Sequence, residues 1–410
     1  MSLFPGYFLV NLYSWIVDRD RRNFGRGLPG NFCNNGLSDR QMKMKTEKTK
    51  RVFFAVLNMG LGHASRSLPI IREFLNKGWE IIVGSSGRSL LFLRKELNHV
   101  QFIELPDYKL TYSEHGVSLV KIVKQLPHVF KMIQKENKLT EDIIRKYRID
   151  MVFSDHRYGC YNHKVPSYFI SHQLRFIFPT FLRSIEFMGF LFNRIFHKKY
   201  RGVIVPDDLN GKNGLLSGRL SSHQNKSRYH FIGILSSLTT ENDFAEDIDI
   251  CVSISGPEPQ RSVMENLVLN QINLFPGKKV VVLGRPELDG VKHLSSDITI
   301  YPHLNRQEMA NLFNRSKLII SRSGYSTVME LAELGKKALF IPTPGQTEQI
   351  YLAQRFKNLG WHYSVEQKNL NLKNDVPKAY QYPGFPFRSS TQESIKRLLH
   401  IISNSFNDKN

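Results

Sequence analysis

The chain has 410 residues, more than one typical hydrophobic core, which predicts two domains plus extra segments. Hydrophobic residues make up 41% of it, a fraction that excludes a disordered chain. The formal net charge of +21 calls for an anionic partner, such as nucleotide phosphates, anionic lipid headgroups or nucleic acid. The three widely spaced cysteines, Cys33, Cys160 and Cys251, exclude a disulfide framework and a clustered zinc site, and suit a reducing cytosol.

Residues 1–49 are predicted to be a disordered or non-native N-terminal extension. Their first part is apolar, but Pro5, Asn11 and Ser14 interrupt it and no basic stretch precedes it, so a secretory signal is not expected. No run in the chain reaches the ~18–20 apolar residues that span a bilayer. We expect the folded protein to begin near Met42 or Met44, and whether residues 1–43 belong to the natural protein stays open.

The first regular series covers residues 50–206 and predicts an N-terminal domain. The stretch Ala64–Lys77 reads as a helix that ends at Gly78. Short apolar, β-rich runs indicate strands buried on both faces, at Arg51–Leu57, Glu80–Ser85, Val100–Glu104, Ile149–Ser154, Val165–Ser171 and Gly202–Val205. Strands that alternate with helices predict a parallel sheet in a doubly wound α/β fold.

A linker rich in Gly, Ser, Asn and Lys is predicted at 207–227, followed by a second α/β domain at 228–377. Its predicted strands are Ile248–Ser255, Lys279–Arg285, Ile298–Pro302, Leu318–Ser321 and Ala338–Ile341, and its helices are Pro257–Gln271, Arg306–Asn314, Ser326–Leu334 and Glu348–Leu359. A tail at 378–410 contains a basic amphipathic helix, Thr391–Ser403. Two such domains place the carboxyl ends of their strands at a shared cleft, where these sheets bind ligands.

A glycine-rich loop joins the first predicted strand to the first helix. Gly60 and Gly62 let the backbone approach a ligand, and the amides of the helix start attract anions. Ser65 stands where a dinucleotide fingerprint has its third glycine, which argues against NAD. His63 is placed to project into the cleft and to act as a general base on an acceptor hydroxyl. The alternative is a tight turn whose histidine makes only local hydrogen bonds.

A second motif extends over 321–353. Ser323 and Gly324 open a helix whose amides could hold a diphosphate, and Glu330, about two turns inside, could accept hydrogen bonds from a ribose diol. After the next strand, Glu348 and Gln349 could read sugar hydroxyls. In the alternative interpretation a hydroxyl side chain caps the helix, Glu330 is solvated and the Pro/Gly loop is only a connection.

The second motif resembles the C-terminal nucleotide-sugar site of glycosyltransferase family 28, and the first motif resembles that family's glycine-rich loop with its histidine. The R-x-G-x-x-T-x-x-E pattern of the family is matched by Arg322, Gly324, Thr327 and Glu330. The resemblance implies a GT-B fold, with two Rossmann-like doubly wound domains facing a cleft. It also implies transfer of a sugar from a UDP-sugar, with Glu330 on the ribose. Its extent is about 51–366.

Further site residues follow from the same resemblance. Gln349 occupies the place of a glutamine that contacts the donor sugar, while Glu348 and Leu352 depart from the family pattern, which leaves the sugar open. Ser255 and Gly256 resemble the loop that closes over the phosphates. Two segments, 154–159 and 170–174, resemble signatures of a bacterial subgroup of family-28-like proteins. The residues expected at the acceptor side or in the cleft are Gly60, Gly62, Arg66, Asp155, Arg157 and His172.

The stretch 174–201 predicts a basic amphipathic helix with an aromatic stripe. Such a helix could lie in an anionic membrane surface and present a lipid-linked acceptor, or it could pack with its polar side in water. We therefore expect a cytoplasmic protein, with attachment to the inner face of the cytoplasmic membrane as one option. Nucleic acid is not an expected partner, because no nucleic-acid module is present.

Three functions remain for comparison. The leading one is a metal-independent hexosyltransferase with no cofactor, because no Asp-x-Asp motif is placed at the donor site; Asp247 and Asp249 precede a strand. The second is a nucleotide-sugar hydrolase on the same fold, for which Gly60, Gly62, His63 and Arg66 also fit. The third is a non-catalytic protein that binds sugar nucleotides or a membrane surface. The anomeric outcome, the acceptor and the oligomeric state are open.

Overall fold

The computed structural model describes residues 49–108, 119–177, 183–222, 227–240 and 245–407. The predicted N-terminal extension therefore lies outside the described residues, apart from Thr49, as does the expected start near Met42 or Met44. Residues 49–407, within these ranges, hold two seven-stranded sheets with helices around them.

The first sheet is parallel throughout, with the strand order β3-β2-β1-β4-β5-β6-β9. Its strands are β1 (Arg51–Val56), β2 (Glu80–Ser85), β3 (Gln101–Glu104), β4 (Met151–Asp155), β5 (Ser167–Ile170), β6 (Gly202–Val205) and β9 (Tyr229–Phe231). Its helices are α1 (Gly62–Asn76), α2 (Gly87–Glu96), α3 (Leu119–Tyr147) and α4 (Arg183–His197). The central strands β1 and β4 are buried almost throughout, because helices cover both faces of the sheet. The strand order reverses between β1 and β4, which creates a switch point at their carboxyl ends.

The second sheet has the order β12-β13-β11-β10-β14-β15-β16, and its edge strand β12 is antiparallel to β13. Its strands are β10 (Ile248–Ser253), β11 (Lys279–Val282), β12 (Lys292–Ser295), β13 (Ile298–Tyr301), β14 (Ser316–Ser321), β15 (Lys337–Phe340) and β16 (Tyr363–Ser364). Its helices are α5 (Gln260–Leu269), α6 (Arg306–Asn314), α7 (Tyr325–Leu334), α8 (Thr347–Asn358) and α9 (Leu372–Tyr380), and α10 (Thr391–Asn407) follows them. The switch point here lies between β10 and β14, whose carboxyl ends carry the loops with Ser255 and Arg322.

The segment predicted as a linker is structured where it is described. It carries a two-stranded hairpin, β7 (Leu209–Asn210) and β8 (Asn213–Gly214), and the buried Asp207 carboxylate accepts hydrogen bonds from the amides of Leu216 and Ser217. The next strand, β9, pairs with β6, so the first sheet extends to residue 231 instead of ending at residue 206. Sequence patterns missed β9 because its three residues are too few to show a period.

The two halves of the fold are in direct contact beside both switch points. The Ser326 hydroxyl at the start of α7 donates to the Gly62 carbonyl at the start of α1, 2.9 Å away. The phenol of Tyr325 donates to the carbonyl of Pro206 in the first half, at 2.9 Å. The C-terminal helix α10 returns to α1, and its Leu398 is fully buried in the same apolar cluster as core residues of both sheets. These contacts fix the distance between the loops that carry the two sequence motifs.

Helix α4 forms as predicted from the basic aromatic stretch. Its Phe192 packs against Phe130 of α3 and against Tyr158, with ring centroids 6.0 Å and 5.1 Å apart, whereas Phe187 is 67% exposed. The first part of the stripe, at 178–182, lies outside the described residues. Phe192 thus takes part in ordinary packing. None of the helices in the described part of the chain combines the length and apolar character that a bilayer crossing requires.

The contact between the halves predicts that the cost of a substitution at Gly62 depends on the side chain at Ser326. A methyl group added at Gly62 would lie 2.7 Å from the Ser326 Oγ, so one of the two must move. We expect Gly62→Ala to lower the free energy of unfolding by about 1–2 kcal/mol, the usual cost of overpacking. In a Ser326→Ala background, where Oγ is absent, the same change is expected to cost clearly less. Urea denaturation of the four proteins of this cycle measures the difference, and equal costs in both backgrounds would contradict the described contact.

Candidate active site

His63 and Asp155 meet at the switch point of the first sheet. His63 is the second residue of α1, directly after the loop that leaves β1, and Asp155 is the last residue of β4. The His63 Nδ1 lies 2.7 Å from the Asp155 Oδ1 and 2.9 Å from the Nη2 of Arg66, and all three side chains are buried. An aspartate on one ring nitrogen orients an imidazole and leaves the other nitrogen for chemistry, the arrangement of a general base.

Arg66 completes this cluster from the next turn of α1. Its guanidinium donates to both carboxylate oxygens of Asp155, with Nε 2.7 Å from Oδ2, and the Ser67 hydroxyl donates to the same oxygen at 3.0 Å. Burial alone would raise the pKa of Asp155, but the Arg66 charge and the His63 contact hold that pKa well below its usual range. Asp155 is therefore a carboxylate at neutral pH.

The imidazole of His63 stays neutral in this environment. Burial lowers the pKa of His63 and the nearby Arg66 lowers it further, against the opposing effect of Asp155. His156, whose φ is 57°, places its ring 5.1 Å from that of His63, and its Nε2 lies 2.7 Å from the Ser171 Oγ. Since burial also lowers the pKa of His156, a pair of uncharged rings lies at this end of β4.

His172 connects the first half to the second. Its Nδ1 lies 2.8 Å from the Nη1 of Arg66, and its Nε2 lies 3.3 Å from the Oε1 of Glu348, at the start of α8. The ring stacks on that of Tyr325, with centroids 4.0 Å apart and an interplanar angle of 2°. Residues of both predicted motifs thus form one contact network.

Arg157 does not lie in the cleft, contrary to the prediction. Its side chain is fully buried and makes an ion pair of 2.8 Å with the buried Glu136 of α3. The Tyr108 hydroxyl and the Gly159 amide also donate to Glu136. A side chain just after a strand can turn to either side, and here the buried Glu136 carboxylate binds the guanidinium inside the protein.

The loops of the second half lie at its switch point, as predicted. Ser255 is exposed, and Gly256 has a φ of 116°, a conformation that favours glycine. The Ser323 hydroxyl is buried and donates to the Gln349 carbonyl, and Gly324 is the N-cap of α7. Among the described residues no side chain caps α7 or α8, which leaves the amides of their first turns available to an anion.

Arg322 has a structural position, which corrects its assignment as a donor-binding residue. The guanidinium is 1% exposed and donates to four backbone carbonyls and one side-chain oxygen, those of Ser255, Gln260, Ile341, Pro342 and Gln367. A guanidinium has five N–H groups, so none is left for a phosphate. Arg322 therefore holds the loops after β10 and β15 together.

Glu330 is buried and has a partner that the sequence did not indicate. The guanidinium of Arg306, the first residue of α6, donates to the Glu330 Oε1, and its Nε donates to the Ser237 hydroxyl at 2.8 Å. Burial raises the pKa of Glu330, against the opposing effect of Arg306. A ribose diol at Glu330 would have to share the carboxylate with Arg306. Thr327, half-buried, lies one turn earlier on α7.

Glu348 and Gln349 begin α8 as predicted. The Gln349 Oε1 accepts from the Thr343 amide at 2.9 Å, and its Nε2 donates to Gln346. The side chain of Glu348 is 26% exposed. Burial alone would raise the pKa of Glu348, but the nearby His172 outweighs this effect and the pKa is lowered. The group is therefore a carboxylate that can accept hydrogen bonds.

Sequence reasoning missed Tyr325 and Ser326 as contacts between the halves. Both stand inside the second motif, between Gly324 and Thr327. The signal available was a large aromatic directly before the predicted helix Ser326–Leu334, at a cleft where a solvent-exposed ring would be unusual.

No group of three or more His, Cys, Asp or Glu side chains suited to a metal ion occurs within the described ranges. Asp247 pairs with Arg315 and Lys278, and Asp249 pairs with Lys317 at the start of β10, the end of the strand remote from the switch point.

The buried Asp155 predicts a pH-dependent stability. Because its folded-state pKa is lowered, its ionised form stabilises the fold above pH ~4, and that contribution is lost as the pH falls below this value. Asp155→Asn should lower the free energy of unfolding at pH 7 by roughly 3–5 kcal/mol, since it leaves Arg66 buried without its carboxylate. The substitution should also make the free energy of unfolding change less as the pH falls into the acid range.

Denaturation curves at several pH values between about 3 and 7 check this prediction. Asp142, whose side chain is 63% exposed in a pair with Arg145, provides the control: Asp142→Asn is expected to change stability by about 0.5 kcal/mol or less. An Asp155→Asn protein as stable as the Asp142→Asn protein would contradict the ion-pair cluster.

Comparisons with known families agree with this geometry. Residues 285–404 match the glycosyltransferase family 28 C-terminal domain, and residues 50–171 match glycosyl transferase family 1. An uncharacterized glycosyltransferase of Methanosarcina mazei is 24% identical over 335 residues, which covers 76% of this chain and 85% of that protein.

A second relative comes from Sulfurihydrogenibium. It is named UDP-N-acetylglucosamine–N-acetylmuramyl-(pentapeptide) pyrophosphoryl-undecaprenol N-acetylglucosamine transferase, and it is 27% identical over 163 residues, 38% of this chain and 46% of that protein. Among solved structures, the glycosyltransferase of kitacinnamycin superposes with a TM-score of 0.57 at 13% identity, covering 86% of this chain and 94% of that one. The chain is thus a glycosyltransferase with the GT-B fold, and its residues 285–404 match the family 28 C-terminal domain.

Proposed function

We propose that the protein transfers a sugar from a UDP-sugar to an acceptor hydroxyl, with His63 as the base. The observation that carries the proposal is the position of the His63–Asp155 pair against the open start of α7. The Gly62 carbonyl and the Ser326 hydroxyl, one residue from His63 and two from Gly324, are 2.9 Å apart. At this spacing, the base could activate an acceptor hydroxyl while the start of α7 binds the phosphates of an activated sugar.

The donor is assigned to the second half. The diphosphate would lie on the amides of the first turn of α7 and near Ser255 and Gly256, where backbone N–H groups favour negative charge. Glu330 would accept from the ribose hydroxyls, and Glu348 and Gln349 would contact the sugar. Arg322 acts indirectly, because it fixes the loops on both sides of the phosphate position.

The acceptor reacts at His63. With the Nδ1–H donated to Asp155, the Nε2 lone pair takes the proton of the acceptor hydroxyl. The acceptor oxygen then forms the bond to the anomeric carbon, the bond from that carbon to the phosphate oxygen breaks, and UDP leaves with the electron pair. The imidazolium that forms is stabilised by the Asp155 carboxylate, and the lowered pKa of His63 keeps the base unprotonated before each turnover.

A lipid-linked or other cell-envelope glycan is the proposed acceptor class. Support comes from the activity named for the Sulfurihydrogenibium relative, from the net charge of +21 and from the exposed Phe187 on a helix that carries Arg194. We accordingly place the protein at the inner face of the cytoplasmic membrane. The proposal uses the nucleotide-sugar as substrate and assigns no step to a cofactor or to a metal.

Transfer assays with radiolabelled UDP-glucose, UDP-galactose and UDP-N-acetylglucosamine, with a lipid extract as acceptor, test the proposal. His63→Ala should lower kcat by about 10²–10⁴-fold with the donor KM little changed, because the base acts only on the acceptor. Glu330→Ala should instead raise the donor KM about tenfold or more, the loss of a hydrogen bond to a charged group. Wild-type kcat/KM should rise with pH and level off, with a midpoint below 6.5, as His63 loses its proton.

His400→Ala and Glu287→Ala, at exposed positions, are the matched controls and should behave as wild type. Release of free sugar at the same rate with and without acceptor would replace the proposal by a hydrolase. If the protein binds nucleotides but forms no product in any acceptor mixture, it is a binding protein and the proposal is wrong.

A further inference from the structure

His172 occupies an unusual position, because it lies in the first half and contacts a residue that belongs to the second. It follows β5, is 5% exposed, and lies within hydrogen-bond or ion-pair distance of Arg66 on one side of its ring and of Glu348 on the other. The proposed function gives Arg66 and Glu348 different tasks, one beside the base and one beside the donor sugar. His172 is the side chain between them.

The chemistry of its neighbours fixes which ring nitrogen of His172 carries the proton. A guanidinium can only donate, so the Nδ1 of His172 must accept from Arg66. The ring proton is then on Nε2, which faces the Glu348 Oε1 at 3.3 Å in a polar contact whose geometry falls short of a regular hydrogen bond. Arg66, His172 and Glu348 therefore form a chain of polar contacts with one polarity, in which a neutral imidazole bridges a buried cation and an anion.

The ring has little freedom to leave this arrangement. It lies parallel to the Tyr325 ring at a centroid distance of 4.0 Å, and the Tyr325 hydroxyl is itself tied to the Pro206 carbonyl. A stacked ring whose Nδ1 is hydrogen-bonded to Arg66 and whose Nε2 faces Glu348 cannot rotate without losing these contacts. His172 thus holds the Oε1 of Glu348 at a defined place.

Glu348 is suited to recognise hydroxyl groups. It stands in the first turn of α8 next to Gln349, whose side chain is engaged with the loop after β15. The Glu348 side chain is 26% exposed and its carboxylate has accepting positions beyond the one that His172 uses. The hydroxyls of a sugar donate to such a carboxylate, and which hydroxyls can reach it depends on where the carboxylate is held.

We propose that His172 is a positioning residue that sets the donor-sugar selectivity: it holds Glu348 so that the carboxylate accepts from a hydroxyl of the transferred sugar. This inference rests on the proposed function. Because Arg66 binds Asp155 as well as His172, the same guanidinium orders the sugar-reading carboxylate and the catalytic base.

Equilibrium binding of UDP, UDP-glucose, UDP-galactose and UDP-N-acetylglucosamine to the full chain, measured by titration calorimetry, tests the inference without an acceptor. The wild type should discriminate among the three UDP-sugars. Glu348→Gln and His172→Asn, which removes the donor to Glu348 but keeps an acceptor for Arg66, should reduce that discrimination about tenfold while the Kd for UDP changes less than about twofold. His172→Gln, whose amide N–H can replace Nε2–H, should restore most of it.

The outcomes separate the inference from the function on which it rests. A wild type that binds none of the nucleotides overturns the proposed function. A wild type that binds UDP but does not discriminate among the sugars overturns the inference alone, as does unchanged discrimination in Glu348→Gln and His172→Asn. If the two His172 variants lose discrimination and UDP affinity equally, the role is merely structural and the inference is also overturned.

Discussion

The carboxylate of Asp155 is the point on which the site depends. A fully buried charge must be compensated, and Asp155 is compensated by two hydrogen bonds from Arg66, one from Ser67 and a contact with His63. Three of its partners lie on the first two turns of α1, so the ionised group ties the end of β4 to the start of the helix after β1. The orientation of His63 follows from this compensation, whereas burial and the Arg66 charge lower the pKa of His63 and keep its ring neutral.

The second constraint is the contact between the halves. Tyr325 and Ser326 lie at the start of α7 and reach the first half at Pro206 and Gly62, while His172 reaches back to Glu348. As a result, the starts of α7 and α8, where we expect the donor to bind, and the start of α1, where we expect the acceptor to be activated, hold each other in position. In the GT-B fold, chemistry occurs between two sheets, and here side chains from both motifs define the spacing of the sheets directly.

Much of this arrangement could be predicted from the sequence. The glycine-rich loop, the carboxyl ends of the strands and the second motif indicated His63, Arg66, Asp155 and His172 as neighbours of one cleft, since parallel strands bring such ends together. Glu348 and Gln349 were expected at the same cleft from the second motif. The structure does bring His63, Arg66, Asp155, His172 and Glu348 together, because their proximity depends on the order of strands and helices, which local patterns reveal; their roles toward a ligand stay predictions.

The failures have a common physical cause. Arg157 and Arg322 were expected at ligands, but each is buried against protein acceptors, the Glu136 carboxylate and a set of carbonyls, which a motif cannot show. Arg306 was not expected at all, because it reaches Glu330 from a different helix. The strand β9 was lost because an edge strand of three residues has no periodicity. Tertiary packing decides which distant residue a long side chain contacts, and a single sequence does not reveal that packing.

Amide hydrogen exchange with and without saturating UDP tests most directly whether the nucleotide lies at the switch point of the second sheet. The account predicts that exchange slows only in the loop at 254–257, in the loop and first turns of α7 at 322–330, and at the start of α8. Exchange at the β12–β13 edge should not change. Exchange that slows only outside these segments, or that does not change at saturation, would contradict the account.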